Sequence, residues 1–422
     1  MDQDVGDQTQ LQSDLVPNHH HVLDASVQSP LDPSLVEERT LDSKLTNIYK
    51  ACEQPVDLPS LKELATSQGG LLTDDARRVA WALLLGLHGK QGVSEQALED
   101  WRSLPRHKDE GQVKLDVDRS FIYYPQNESA THLNRRKEEL SDVIIQVLRR
   151  HPMLYYFQGF HDIVQVVLLV AGKDNATELT AHLALLRIRD FMLPSLSPSI
   201  AHLRLLPAIF QSVDPELSRH LAQIQPFFAL ASTLTLYAHE VQEYKDIARL
   251  FDFLLAQEAV VSIYLFAVIV LSRRDELLEL PEDDPDMLYH TLSKLPKPLN
   301  LEAVICRTML TFSEHPPERL PAGAWNKISA FSVLKTTRGS AGTRNLQEAE
   351  KLFAMQSLQL KREELRQRAW AIIWNYRGPA RSICLAILVG VASYAFRKKG
   401  LDSAIYIGAR RLWGSLRGTT ST

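Results

Sequence analysis

Two short stretches of this chain carry polar side chains in patterns that core packing does not ask for. In residues 113–119 (VKLDVDR), Asp116 and Arg119 stand three positions apart, so on a helical turn the carboxylate reaches the guanidinium. Arginine offers a planar, permanently charged fork of donors suited to phosphate or carboxylate oxygens. In residues 155–162 (YYFQGFHD), Gln158 sits among Tyr155, Tyr156, Phe157 and Phe160, with Gly159 directly after it. Its amide both donates and accepts hydrogen bonds. Taken singly, the first stretch reads better as a surface ion pair worth about 0.3 kcal/mol. The second reads as a satisfied glutamine at the start of a core helix.

Motifs that would give the chain its own active centre are missing. No GxxxxGK, GxGxxG, HExxH or GxSxG occurs, which argues against a nucleotide binder, a zinc protease or an elbow-type hydrolase. The run His19-His20-His21 lies in a polar tail and falls short of a metal site. Cys52, Cys306 and Cys384 form no CxxC pair, so they read as reduced thiols.

The elements that must position the two stretches are helices. Apolar residues recur at helical spacing through most of residues 41–274. Residues 76–87 (ARRVAWALLLGL) end at glycines, and residues 134–150 place Leu140, Val143, Ile144, Val147 and Leu148 on one face before Pro152. Alternating strand-type runs are scarce, so an all-α, multi-helix domain is expected over 41–335. Residues 1–40 read as a disordered acidic tail, 336–345 (TTRGSAGTRN) as a flexible linker, 346–377 as a basic helix, and 397–422 as a short basic tail.

Net charge is −4 over 422 residues, which leaves no nucleic-acid footprint. From residue 336 onward, however, 15 Lys/Arg face 5 Asp/Glu, and such a basic arm suits an anionic surface such as a membrane. The N-terminus is acidic and polar, so no signal peptide is expected. Two apolar runs compete as membrane segments. Residues 260–271 (VVSIYLFAVIVL) are 12 long and boxed by charges, as suits a buried core helix. Residues 382–396 (SICLAILVGVASYAF) follow a basic helix and precede Arg397-Lys398-Lys399. They are read as the membrane segment of a C-terminal anchor helix, spanning or lying in a shallow hairpin.

Taken together, the polar stretches resemble the signatures of the TBC-domain Rab GTPase-activating proteins, IxxDxxR and YxQ. Here these read Val113-x-x-Asp116-x-x-Arg119 and Tyr156-x-Gln158. Arg77 and Trp81 before a leucine run, then Leu205-Leu206-Pro207, Ile224-x-Pro226-Phe227 and Arg249–Leu255 (RLFDFLL), follow in the family's order over about residues 70–275. Val113 stands for isoleucine, His161-Asp162 for Asn and an apolar residue, and Ala-Ser for a tryptophan in a later block.

The resemblance implies that Arg119 and Gln158 act as catalytic fingers in trans on a GTP-loaded Rab, with Asp116, Tyr156 and Gly159 supporting them. GTP and Mg²⁺ would belong to the partner, so no cofactor or metal of the chain's own is expected. A C-terminal apolar segment on such a domain is similar to the endoplasmic-reticulum-anchored branch of the family. That branch implies a domain facing the cytosol and a role in ER-to-Golgi traffic. The competing reading is a membrane-tethered adaptor that binds a Rab without activating it.

Overall fold

The computed structural model describes residues 33–87, 100–126, 128–339 and 345–398. Among these residues there are helices, turns and loops but no strand, as the periodicity leads one to expect. The N-terminal part holds α1 (Pro33–Cys52), α2 (Leu58–Thr66), α3 (Asp74–Leu84), α4 (Glu110–Val117), α5 (Ala130–Arg150), α6 (Phe160–Ala171) and α7 (Lys173–Leu186). Four short helices follow: α8 (Ser197–Leu203), α9 (Leu205–Val213), α10 (Pro215–His220) and α11 (Leu230–Leu234). Then come α12 (Tyr244–Ala256), α13 (Val261–Leu271), α14 (Arg274–Glu279), α15 (Pro285–Leu292), α16 (Leu301–Glu314), α17 (Val333–Thr336) and α18 (Leu346–Lys398).

Several helices start where a side chain satisfies one of their first amides. Thr73 accepts from the Ala76 N–H at the head of α3, Ser129 from His132 at α5, and Asn300 from Ala303 at α16. The amphipathic face expected on α5 is buried, with Leu140, Val143, Ile144, Val147 and Leu148 all inside. The 260–271 run is core, as its length predicted. Residues 261–270 are buried on every side of α13, which packs against α9 and α16.

Two blocks far apart in sequence meet inside this core. The fully buried Asp252 on α12 accepts from Trp81 Nε1 at 2.8 Å, from Arg77 Nε at 3.1 Å and from the Leu71 N–H at 2.9 Å. Arg249, one turn earlier, pairs with Glu302 at 2.7 Å and donates to the carbonyls of Ala65, Thr66 and Ser67. These polar residues stitch α2, α3, α12 and α16 together, and each buried charge has its partners.

The chain ends differ from expectation. Of the expected disordered tail, residues 1–32 lie outside the described residues, while α1 already takes in residues 33–40. The expected linker begins later than residue 336. Thr336 closes α17, Thr337 Oγ1 accepts from the Ala259 N–H at 3.0 Å, and Arg338 pairs with Glu318 at 2.8 Å. Composition alone misses this, because the threonine hydroxyls and Arg338 find partners on distant segments. Residues 340–344 and 399–422 lie outside the described residues.

α18 is one helix where two were expected. Its first turns dock, burying Ala349, Phe353 and Gln356, and Glu350 meets His151 Nδ1 at 2.9 Å. Residues 361–374 and 383–395 of it are almost all exposed. Among the described residues no helix is long and apolar enough to cross a membrane, so the expected C-terminal membrane-anchor helix is not found as a span. The 15 residues of 382–396 rise about 22 Å at ~1.5 Å each, against a hydrocarbon core of ~30 Å. Arg377 and Arg381 precede them on the same helix.

Candidate functional site

α4 delivers Asp116 and Arg119. The helix ends at Val117, and a tight turn follows, with the Arg119 N–H on the Asp116 carbonyl at 3.1 Å and Lys137 Nζ on the Asp118 carbonyl at 2.6 Å. Asp116 points inward and has no exposed surface, whereas the Arg119 side chain is 61% exposed. Arg119 Nη2 donates to Asp116 Oδ1 at 2.6 Å, Gln112 Nε2 donates to the same oxygen at 3.0 Å, and the Tyr156 hydroxyl donates to Oδ2 at 2.9 Å. A buried carboxylate thus grips one edge of an outward-facing guanidinium.

The glutamine segment crosses beside it. The Tyr155 N–H bonds the Met192 carbonyl at 2.9 Å, and the Tyr156 N–H bonds Asp109 Oδ2 at 3.0 Å. Phe157 is buried, with its ring 5.6 Å from that of Phe160 and 6.0 Å from that of Phe191. Gln158 between them is exposed, and among the described residues its side chain makes no hydrogen bond. Gly159 explains how one residue turns out while its neighbours turn in. Its φ is +102°, and a Cβ there would lie 2.6 Å from Thr235 Cγ2. Only glycine takes this corner without strain.

The Tyr156–Asp116 bond therefore joins the two polar stretches, and Arg119 and Gln158 stand exposed on the joined segments. Of the five residues singled out from the sequence, Arg119 and Gln158 face solvent, Asp116 and Tyr156 bond each other beneath, and Gly159 makes the corner. Among the described residues no cluster of His, Cys, Asp or Glu is arranged to hold a metal.

The profile of the Rab-GTPase-TBC domain family matches residues 74–278. TBC1 domain family member 20 of Bos taurus is 36% identical over 299 residues, covering 70% of this chain and 73% of that protein. The chain belongs to the TBC-domain Rab GTPase-activating protein family. GTPase-activating protein gyp10 of Schizosaccharomyces pombe is 32% identical over 76% of this chain and 86% of its own length. The solved Ypt/Rab-GAP domain of Gyp1p superposes with a TM-score of 0.53 over 65% of this chain and 99% of that one; at 15% identity it shows the fold alone. Members of the family accelerate GTP hydrolysis by a partner Rab.

Within this TBC domain the electrostatics keep the supporting groups in fixed roles. Burial, then the Asp116 charge, pushes the Tyr156 hydroxyl well above its ordinary pKa, so it stays protonated and donates. His161 Nδ1 lies 3.2 Å from that hydroxyl, and burial holds the imidazole below its ordinary pKa. On the rim, His239 Nδ1 meets Asp162 Oδ2 at 3.0 Å, and this bond raises the pKa of His239. Lys108 Nζ sits 3.0 Å over the Tyr155 ring, a cation–π contact that braces the segment.

Sequence reasoning missed four contributors: Gln112, which shares the Asp116 oxygen; His161; Thr235 against Gly159; and Gln165. Two of them had a signal: Gln165 as a lone amide in the apolar run of α6, and Gln112 by its i,i+4 spacing to Asp116 on α4. Thr235 matters only through a contact across the fold.

Proposed function

We propose that this chain activates a GTP-loaded Rab by inserting Arg119 and Gln158 in trans into the partner's nucleotide site. One observation carries the reading: Gln158 projects to solvent without an internal partner, on a segment bonded through Tyr156 and Asp116 to the segment bearing Arg119. A glutamine with no use inside its own fold is suited to use in another's. In the transition state of phosphoryl transfer, charge grows on the bridging and γ-phosphoryl oxygens and the attacking water must be aligned. Arg119, held along one edge by Asp116, keeps donors free for those oxygens. Gln158 accepts from and donates to the water. The chain itself supplies neither GTP nor Mg²⁺; both come with the Rab.

The proposed setting is the cytosolic face of the endoplasmic reticulum, where such an activator regulates traffic to the Golgi. The basic, exposed length of α18 and the apolar residues 382–396 support contact with that membrane; Leu385, Ile387, Leu388, Val389 and Val391 are all exposed. Tethering beside lipidated Rabs raises their effective concentration.

The test is multiple-turnover hydrolysis with a panel of GTP-loaded Rabs and full-length chain at one part in a hundred. Acceleration of at least one Rab at that ratio supports the proposal. Binding without acceleration across the panel would leave an adaptor instead.

A further inference from the structure

We infer that Gln165, in the middle of α6, is a positioning residue that holds the backbone just beyond Arg119 and sets the direction of that side chain. The inference rests on the reading of Arg119 as a finger. Gln165 is 4% exposed in an otherwise apolar stretch, IVQVVLLV, and a buried amide is costly unless its atoms are paired. Both of its polar atoms go to one loop. Oε1 accepts from the Phe121 N–H at 2.9 Å, and Nε2 donates to the Tyr124 carbonyl at 3.4 Å. Gln165 touches neither finger and faces no site of its own.

What it holds is strained. Phe121 has a φ of +62°, a left-handed conformation that residues with side chains rarely adopt and that persists where surrounding structure imposes it. The Phe121 ring is itself buried, so the residue is pinned by its side chain and by its N–H together. Arg119 is two residues upstream, with only the buried Ser120 between. The Tyr156 hydroxyl on Asp116 fixes the chain before Arg119, and the Gln165 amide on Phe121 fixes it after. Both anchors come from one continuous piece, the segment from Tyr156 into α6, which also carries Gln158. The offset between arginine and glutamine is thus set before any partner arrives. Preorganised donors cost no rearrangement as the transition state forms.

The experiment compares Gln165→Leu with wild type in single-turnover hydrolysis, using the GTP-loaded Rab that responds most to wild-type full-length chain. A misdirected guanidinium costs rate more than affinity: kcat is expected to fall ~10–100-fold while KM stays within ~3-fold. In the Arg119→Lys background, where a point charge on a flexible stem gains less from a fixed loop, the added loss should shrink to under ~3-fold. Should Gln165→Leu fail to fold, Gln165→Asn, which withdraws the amide by one methylene, carries the same comparisons. Equal losses in the wild-type and Arg119→Lys backgrounds, or a loss confined to KM, overturn the inference. An Arg119→Ala chain with undiminished activity fails the finger reading itself and is distinguishable from either.

Discussion

Replacing Arg119 by alanine separates catalysis from stability on this fold. The side chain is 61% exposed and makes one 2.6 Å bond to Asp116, and an exposed ion pair is worth about 0–1 kcal/mol. Asp116 keeps Gln112 and Tyr156 as donors, and the space vacated by Arg119 opens to water. A loss of about 1 kcal/mol moves the melting temperature of a domain of this size by only ~2–4 °C. The expected loss of rate is far larger. An arginine delivered in trans contributes ~10³–10⁵ in kcat, and 10³ corresponds to about 4 kcal/mol of transition-state stabilisation. Arg119→Lys keeps a charge but lacks the fork to hold Asp116 and a phosphoryl oxygen together, so it should fall between the two. The assay is single-turnover GTP hydrolysis on a responsive Rab, with thermal unfolding measured on the same samples. A rate within threefold of wild type for Arg119→Ala refutes the reasoning, as does a rate loss fully accounted for by unfolding.

Three further outcomes are expected. Gln158→Ala should melt with wild type, because the side chain is exposed, yet lose ~10²-fold in stimulated hydrolysis; unchanged hydrolysis would count against its finger role. Gly159→Ala should be destabilised by ~2–4 kcal/mol in urea unfolding, from left-handed backbone strain and the 2.6 Å approach to Thr235 Cγ2; adding Thr235→Ser should return only the steric share, and wild-type stability in the single variant would refute the geometry. Glu110 is held down to about 2 from an ordinary 4.5, chiefly by hydrogen bonds from Arg149. Its contribution is therefore complete above about pH 4.5 and is lost as pH falls through about 2. Glu110→Gln should cost up to about 3 kcal/mol at pH 7 and match wild type near pH 2; a constant difference across that range would contradict the pairing.

Helical periodicity was enough to establish that the chain is all-α, that α5 buries one face and that residues 260–271 are core, because a repeat near 3.6 residues is written locally. The two polar stretches were also visible, but only through the order and spacing of their residues, since taken singly one reads as an ion pair and the other as a core glutamine. Their union was not visible. Tyr156 reaches Asp116 across 40 positions, Gln165 reaches Phe121 across 44, and Thr235 determines why residue 159 must be glycine. The docked start of the supposed linker at 336–338 and the continuous α18 likewise depend on partners or helix continuity that composition does not encode. The residue types were thus the sequence's own contribution. Which polar atoms are consumed inside, and which are left facing outward, was decided by tertiary packing, because a hydrogen bond between distant segments exists only once the core has brought them together.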